Sequence, residues 1–258
     1  MRKLVITGAS GSVGKALLSG LCDNFDVVSL SLQEKNGGAD LDRLAKELQG
    51  VYGVVHCAWN TRVSNSHSLL GDYQNVVMSS KLIYSAHASR VSRFVFVSTV
   101  HRQPFGLWPS MEDQYEEEVM LADKIYAPPR RRYGAEKLCV EHEVEMAARM
   151  GAFYAMNVGL GGHNGSNVPI RNNWQSRVWL SRNDWVSLVR TFMNETPPVR
   201  CFSMYATSNN EDPVVCNETP IGWEPKSCAP SDIARNQVQE GLIALDELWS
   251  PNTNSQPL

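Results

Sequence analysis

Thr7-Gly8-Ala9-Ser10-Gly11-Ser12-Val13-Gly14 follows a short apolar run, Leu4-Val5-Ile6, and leads into an amphipathic stretch from Lys15 to Leu21. This order predicts a strand, a tight glycine turn and a helix start. A helix N-terminus presents unpaired N–H groups and a partial positive charge, so it attracts phosphate. Glycines let the backbone turn sharply and approach a pyrophosphate with no Cβ in the way. Gly8, Ser10, Gly11, Ser12, Val13 and Gly14 are therefore candidate cofactor-binding residues.

Strand and helix signals alternate outward from that turn. Apolar strand-like runs lie at Leu4–Ile6, Val27–Leu30, Val51–Cys57, Phe94–Val97 and Phe153–Val158. Helical patterns lie between them at Leu41–Leu48, Tyr73–Ala88 and Gly134–Met150. Short apolar strands separated by helices predict an α/β fold, with a doubly wound parallel sheet covered on both faces. Past residue 159 the alternation weakens. Gly159–Gly165 is glycine-rich, and Asn164–Trp174 reads as loop. A helix is expected over Asp184–Met193 with Asn183 as its cap, a late strand over Arg200–Ala206, and turns over Ser208–Pro213. A last helix is expected over Ser231–Leu248, before a polar end at Pro251–Leu258. The division is a dinucleotide-binding core, 1–158, and a small substrate lobe, 159–258, interwoven with the end of the sheet.

The 258 residues suffice for such a domain. A hydrophobic share of 43% and a charged share of 20% fit a soluble globular protein, and a net charge of -3 gives no general attraction to nucleic acid or acidic membranes. No apolar run approaches the roughly 20 residues that span a bilayer. The first strand begins at once, leaving no room for a signal peptide, so a cytoplasmic location is expected. The six cysteines form no Cys-x-x-Cys pair, which favours reduced thiols over disulfides or a metal site.

Tyr133-Gly134-Ala135-Glu136-Lys137 places a phenol and an ammonium four apart on one helical face. A neighbouring ammonium favours the phenolate and should lower the tyrosine pKa, giving an acid or base usable near neutral pH. Phe94-Val95-Phe96-Val97-Ser98-Thr99 ends an apolar strand in two hydroxyls, at the end of the sheet where ligands bind. Thr99 is placed to orient a substrate oxygen while Tyr133 transfers the proton. Arg130-Arg131-Arg132 and Glu116-Glu117-Glu118 read as solvated surface.

Together these motifs resemble the extended short-chain dehydrogenase/reductase family of epimerases, dehydratases and dehydrogenases. The resemblance runs over nearly the whole chain. The family's glycine motif matches Thr7 to Gly14, its His-x-Ala matches His56-Cys57-Ala58, and Asp40-Leu41 resembles its adenine contact. It implies catalytic roles for Thr99, Tyr133, Lys137 and Asn75, the last supporting proton-relay geometry. Cofactor contacts are implied for Cys57, Ala58, Tyr133 and Lys137. His56 is expected to pack near the cofactor without a catalytic role. The long helices of the family often pair between subunits, which implies a homo-oligomer, a dimer.

Within that family, Trp179 to Val189, Ala206 to Asn210 and Gly222 to Lys226 resemble the uronate dehydrogenase branch, which oxidises a hexuronate at its anomeric carbon. Ser98, Thr99, Val100, His101, Leu160 and Trp174 are then the substrate-side candidates. The branch has an asparagine where Val100 stands. It has a serine and a carboxylate-binding arginine where Leu160 and Trp174 fall. Arg171 or Arg177 could supply the arginine if the loop is shifted. These departures favour a less polar substrate than a uronate.

The second strand ends Ser29-Leu30-Ser31-Leu32, without the acid that bonds the ribose diol of NAD. Ser31 with Lys35 could receive a 2′-phosphate, although no arginine follows in that turn. The expected cofactor is NAD(P)(H), leaning to NADP(H). The expected function is an NAD(P)-dependent oxidoreductase moving a hydride between nicotinamide and an alcohol or carbonyl of a small molecule. Two other classes remain open: an epimerase or dehydratase with retained cofactor, and a dinucleotide-sensing regulator, which would have no need of both Tyr133 and Lys137.

Overall fold

The computed structural model describes residues 1–32, 40–61, 73–102, 132–169, 176–211, 213 and 215–229. Six parallel strands form one sheet: β1 Lys3–Thr7, β2 Asp26–Leu30, β3 Gly53–His56, β4 Arg93–Val97, β5 Tyr154–Leu160 and β6 Cys201–Ala206. Their spatial order is β2-β1-β3-β4-β5-β6. The chain moves outward from β1 to β2, then returns to build the other half from β3. The switch point therefore lies between β1 and β3, where ligands bind in open sheets of this kind.

The helices are α1 Ser12–Gly20, α2 Leu41–Glu47, α3 Gln74–Ala88, α4 Arg132–Arg149 and α5 Arg182–Asn194. Leu4 and Ile6 of β1 join Leu17, Trp185 and Phe192 in one core on the α1/α5 face. Val5 joins Leu44, Leu82, Val140 and Val144 in a second core on the α2/α3/α4 face. The period-2 alternation of a strand thus feeds two apolar layers, so both faces of β1 are apolar.

The boundaries follow local chemistry. Asp40 caps α2 by accepting a hydrogen bond from the Asp42 N–H at 3.0 Å. Ser181, rather than the expected Asn183, caps α5, and its hydroxyl accepts from the Asp184 N–H at 3.0 Å. The helix starts two residues earlier than its apolar pattern suggests, so Asn183 falls inside the first turn. The expected helix over Ser231–Leu248 and the end at Pro251–Leu258 lie outside the described residues. So do Lys35, Glu116, Glu117, Glu118, Arg130, Arg131, Arg171 and Trp174.

Asp184 explains why three separated stretches belong together. Its buried carboxylate accepts from the Ser208 hydroxyl at 2.6 Å, the Lys226 N–H at 2.8 Å and the Ser227 N–H at 3.0 Å. The segments around Arg182, Ser208 and Trp223 are tied through this one side chain, and its contacts are structural. Replacing Asp184 by alanine leaves those buried donors unpaired, at a cost of about 3 kcal/mol. A fall in Tm of roughly 10 °C by calorimetry is expected. A change under 2 °C would remove the carboxylate from this role.

Candidate active site

Gly8 and Gly14 show why the turn after β1 needs glycine. Gly8 has a positive φ of 68°, and a Cβ there would meet Ala58 N at 2.6 Å. A Cβ on Gly14 would lie 2.5 Å from the Gly8 carbonyl oxygen and 2.7 Å from Ala9 Cα. A Cβ on Gly11 would make only an ordinary contact, 3.5 Å from the same oxygen. Ser10, Gly11 and Ser12 are exposed at the turn, and no side chain caps the start of α1. Its first N–H groups face outward at the switch point of the sheet. A close backbone cradle at an uncapped helix start fits a dinucleotide pyrophosphate. Trp185 supports the turn from behind, its indole N–H donating to Val13 O at 3.1 Å.

A buried chain of hydrogen bonds links this turn to α3. Ser79 Oγ donates to Asn75 O at 2.7 Å, so it accepts from His56 Nε2 at 2.8 Å. His56 Nδ1 is then the acceptor for the Thr7 hydroxyl at 2.8 Å, and Thr7 Oγ1 accepts the Ala58 N–H at 3.2 Å. His56 is fully buried, and burial, helped by Lys137, pushes its pKa down to about 3. It is a neutral strut between β1, β3 and α3. Because the unfolded chain binds a proton here at pH values where the folded one does not, this stability is present above about pH 6.5 and is lost on acidification toward pH 3. The loss is of order 4 kcal/mol. The Tm of His56→Gln, measured from pH 7 to pH 4, is expected to fall less steeply than that of the parent protein. Parallel curves would contradict the buried neutral ring.

Asn75 is turned toward the backbone of Asn60. Its amide oxygen accepts from Asn60 N at 2.7 Å and its nitrogen donates to Asn60 O at 3.1 Å. This pins the segment that follows β3 and carries Trp59. Trp59 lines the cavity at the carboxyl ends of the central strands, and nothing in its sequence spacing marks it.

A cavity of 370 Å³ opens at the carboxyl ends of β3, β4 and β5. It brings together Val13, Cys57, Ser98, Thr99, Val100, His101, Tyr133, Lys137 and Leu160 of the sequence-based set. Trp59, His163, Val178 and Trp179 complete much of its wall. A larger hollow of 820 Å³ around Asn217 and Trp223 shares no lining residue with it and contains none of the expected catalytic groups. Asp40 and Leu41 stand at the start of α2, and Ser31 is exposed after β2. Among the described residues no cluster of His, Cys, Asp and Glu could hold a metal ion.

Tyr133 and Thr99 hydrogen-bond through their side chains. Thr99 Oγ1 also accepts the His101 N–H at 3.2 Å, so its proton is the one given to the Tyr133 oxygen. Burial raises the Tyr133 pKa above its ordinary value, and Thr99 partly offsets this. The expected lowering by Lys137 is absent in this arrangement. Lys137 Nζ lies 5.9 Å from the Tyr133 ring centroid, donates to Val97 O at 2.6 Å, and sits 3.7 Å from the Trp59 ring centroid. Burial lowers the Lys137 pKa to about 7, against the opposing pull of Cys57, Glu141 and Glu136. The aromatic face and the carbonyl are the direct partners of its ammonium. The Cys57 thiol is pushed up to about 12 by burial, so it is a poor nucleophile in this wall.

Ser98 points away from a direct substrate role: its hydroxyl donates to Glu141 on α4. At the end of β2, Arg43 Nη2 reaches from α2 to donate to Ser31 O at 2.5 Å. No arginine stands in that turn of the sequence; the fold supplies one from the following helix.

Residues 4–181 match the NAD dependent epimerase/dehydratase family. The chain belongs to that family. Among its relatives, the L-arabinose 1-dehydrogenase (NAD(P)(+)) of Haloferax volcanii is 27% identical over 174 residues. That match spans 62% of this chain and 64% of that enzyme. The uronate dehydrogenase of Agrobacterium fabrum is 25% identical over 244 residues, 89% of this chain and 86% of that enzyme. A solved mutated uronate dehydrogenase superposes with a TM-score of 0.69 at 19% identity, covering 95% of this chain and 88% of that one, a likeness of fold. No helix among the described residues is long and apolar enough to cross a membrane.

Proposed function

We propose that this chain is an NAD(P)-dependent oxidoreductase that oxidises a sugar at its anomeric carbon, the position in the name of its relative the L-arabinose 1-dehydrogenase. The convergence of Tyr133, Thr99 and Lys137 on one cavity beside the glycine turn is the observation that carries this reading. Gly8 to Gly14 would hold the pyrophosphate, with Cys57 and Ala58 along the dinucleotide and Asp40 and Leu41 toward its adenine. Lys137 would meet the nicotinamide ribose. Hydride acceptance and donation are the chemistry the bound nicotinamide supplies. Tyr133 takes the hydroxyl proton in oxidation and returns it in reduction. Its raised pKa makes it a ready proton donor in the reductive direction. Thr99 gives its proton to the Tyr133 oxygen and would turn it to the reacting oxygen of a bound substrate, and Asn75 keeps the Trp59–Asn60 segment in place through its backbone.

Residues 1–158 bind the dinucleotide in this reading, and residues from 159 onward face the substrate through Leu160, Val178 and Trp179. Trp59, Val100, Leu160 and Trp179 give the cavity apolar and aromatic walls, which suit the C–H faces of a neutral sugar better than a carboxylate. The relatives' names, an arabinose and a uronate dehydrogenase, bracket this choice. Initial rates with L-arabinose, D-galactose and their uronic acids, each with NAD and NADP, test it. Faster oxidation of the neutral sugars is expected. Preference for the uronic acids would overturn the neutral-sugar reading, and no nicotinamide reduction with any of them would overturn sugar oxidation.

Arg43 beside Ser31 supports use of NADP(H), because a guanidinium pairs well with a 2′-phosphate. Ser31→Asp adds a negative charge there. Its Michaelis constant for NADP is expected to rise at least tenfold while that for NAD stays within about threefold. An unchanged NADP constant would exclude Ser31 as the selector. Exposed Val77 and Tyr84 on α3, with Met146 and Met150 along and just past α4, support pairing of two copies through these helices.

A further inference from the structure

A buried ion pair joins the turn after β4 to α4. Glu141 lies one helical turn beyond Lys137 on α4, and Arg102 ends the short 3-10 turn Val100–Arg102 that follows Thr99. Arg102 Nη1 donates to Glu141 Oε2 at 2.8 Å, and both side chains are more than nine-tenths buried. The other carboxylate oxygen, Oε1, accepts from the Ser98 hydroxyl. Arg102 is further held over the ring of Tyr205 on β6, 4.4 Å from its centroid. The helix backbone is tied down at the same level, where Asn157 of β5 donates from Nδ2 to Glu141 O at 3.2 Å.

A buried ion pair is an expensive way to stabilise a fold. Desolvating two charges offsets most of their attraction, and apolar side chains of similar size often serve stability as well. The pair does something else that apolar contact would not do: it fixes direction. Both oxygens of one carboxylate are used, one on the residue before Thr99 and one three residues after it. The same carboxylate is carried by the helix of Tyr133 and Lys137. Arg102 N also donates to Thr99 O at 3.3 Å, and Ser98 N donates to Val158 O at 2.8 Å, so Thr99 is held on both sides. The Lys137 ammonium meets the same strand end through Val97 O at 2.6 Å.

We propose that the Glu141–Arg102 pair is a positioning device that locks the Ser98–Arg102 segment to α4, so that Thr99, Tyr133 and Lys137 share one rigid frame. The inference rests on the catalytic reading of those three residues. Glu141 and Arg102 act through Thr99 and Lys137 and touch neither substrate nor cofactor. Burial pulls the Arg102 guanidinium down, but Glu141 and Tyr205 together raise it above its ordinary value, so the guanidinium keeps its charge. Among the described residues, the charged and titratable groups around Lys137 are His56 and Cys57 from β3 and its end, and Tyr133, Glu136 and Glu141 from its own helix.

The double variant Glu141→Leu/Arg102→Met removes both charges without orphaning either, and the single variant Glu141→Gln breaks the pair. Each is compared with the parent protein by Tm, by steady-state kinetics with L-arabinose and NADP, and by hydrogen exchange at the amides of His101 and Arg102. In the double variant the Tm is expected to stay within a few degrees. Its kcat is expected to fall roughly ten- to a hundredfold with KM nearly unchanged, since small misplacement of reacting groups costs about that much. The two amides are expected to exchange at least tenfold faster. Glu141→Gln should show the same faster exchange with a lower Tm. A double variant with kcat within twofold of the parent and unchanged exchange would overturn the proposal. If the double variant does not fold, Glu141→Gln decides by the same kcat and exchange criteria. If the parent protein itself oxidises no sugar, the catalytic reading fails, while the exchange measurement still decides whether the pair holds the frame.

Discussion

Tyr133→Phe is expected to lower kcat by about three orders of magnitude while leaving the affinity for the dinucleotide within a factor of about three. The substitution removes one oxygen and leaves the ring. The edge-to-face contact with Trp59, at 6.3 Å between centroids, survives it. What disappears is the hydroxyl that hydrogen-bonds with Thr99 and would exchange the proton with substrate. The described wall then holds only aliphatic hydroxyls, those of Thr61, Ser98 and Thr99, and an aliphatic hydroxyl titrates far outside the working range. The phenol of the parent protein is raised by burial, so its deprotonated form is scarce at neutral pH. Sugar oxidation should therefore speed up through the alkaline range, and carbonyl reduction should slow there. The variant should lose both limbs together. Stopped-flow measurement of nicotinamide reduction separates this from a binding defect. Retention of more than a tenth of the parent rate would remove Tyr133 from the proton step.

Gly14→Ala is expected to weaken dinucleotide binding at least tenfold and to lower stability by about 1–3 kcal/mol. The added Cβ would lie 2.5 Å from the Gly8 carbonyl oxygen and 2.7 Å from Ala9 Cα, and neither is the end of a flexible side chain. The first turn of α1 must move away from β1, and the N–H groups at the helix start move with it. Gly11→Ala provides the internal contrast. Its Cβ would meet only the Gly8 oxygen at 3.5 Å, so the free protein should keep its Tm. The same methyl would stand on the open side of the cradle, where a pyrophosphate approaches, so affinity should fall without loss of stability. Titrating reduced nicotinamide fluorescence and measuring Tm for both variants distinguishes the two effects. Equal dinucleotide affinity in all three proteins would show that the turn does not bind phosphate.

Much of this architecture is legible in the sequence, for a physical reason. In a parallel sheet covered on both faces the strands are apolar throughout, so Leu4–Ile6 and Phe94–Val97 stand out from their helical neighbours. Those two runs appear in the structure as Lys3–Thr7 and Arg93–Val97. The glycine turn was readable because its steric demand is local: Gly8 and Gly14 meet backbone that is close in sequence or at the adjacent strand end. Tyr133 and Lys137 were readable because a spacing of four places two residues on one face of a helix.

What remained hidden is long-range. Arg102 and Glu141 are 39 residues apart, and only the fold brings the turn after β4 against α4. Arg43 reaches the end of β2 from the next helix, so the residues of the turn itself carry no sign of the guanidinium. Ser98 looked like a substrate hydroxyl because it stands beside Thr99. Adjacent residues at a strand end point to opposite sides, and its hydroxyl is given to Glu141. Lys137 was expected to act on the neighbouring phenol by charge alone. The contacts with Val97 O and Trp59 draw its ammonium elsewhere, and burial raises Tyr133 instead. Spacing can report that two groups share a face; it does not report what else competes for one of them.

The most direct test of the account follows one hydrogen. L-arabinose carrying deuterium at its anomeric carbon is incubated with the parent protein and oxidised NADP, and the recovered nicotinamide and sugar are analysed by mass spectrometry. The account predicts reduced nicotinamide carrying one deuterium, a sugar oxidised at that carbon, and neither product with Tyr133→Phe. Deuterium retained in the sugar, with unlabelled nicotinamide left oxidised, would contradict it.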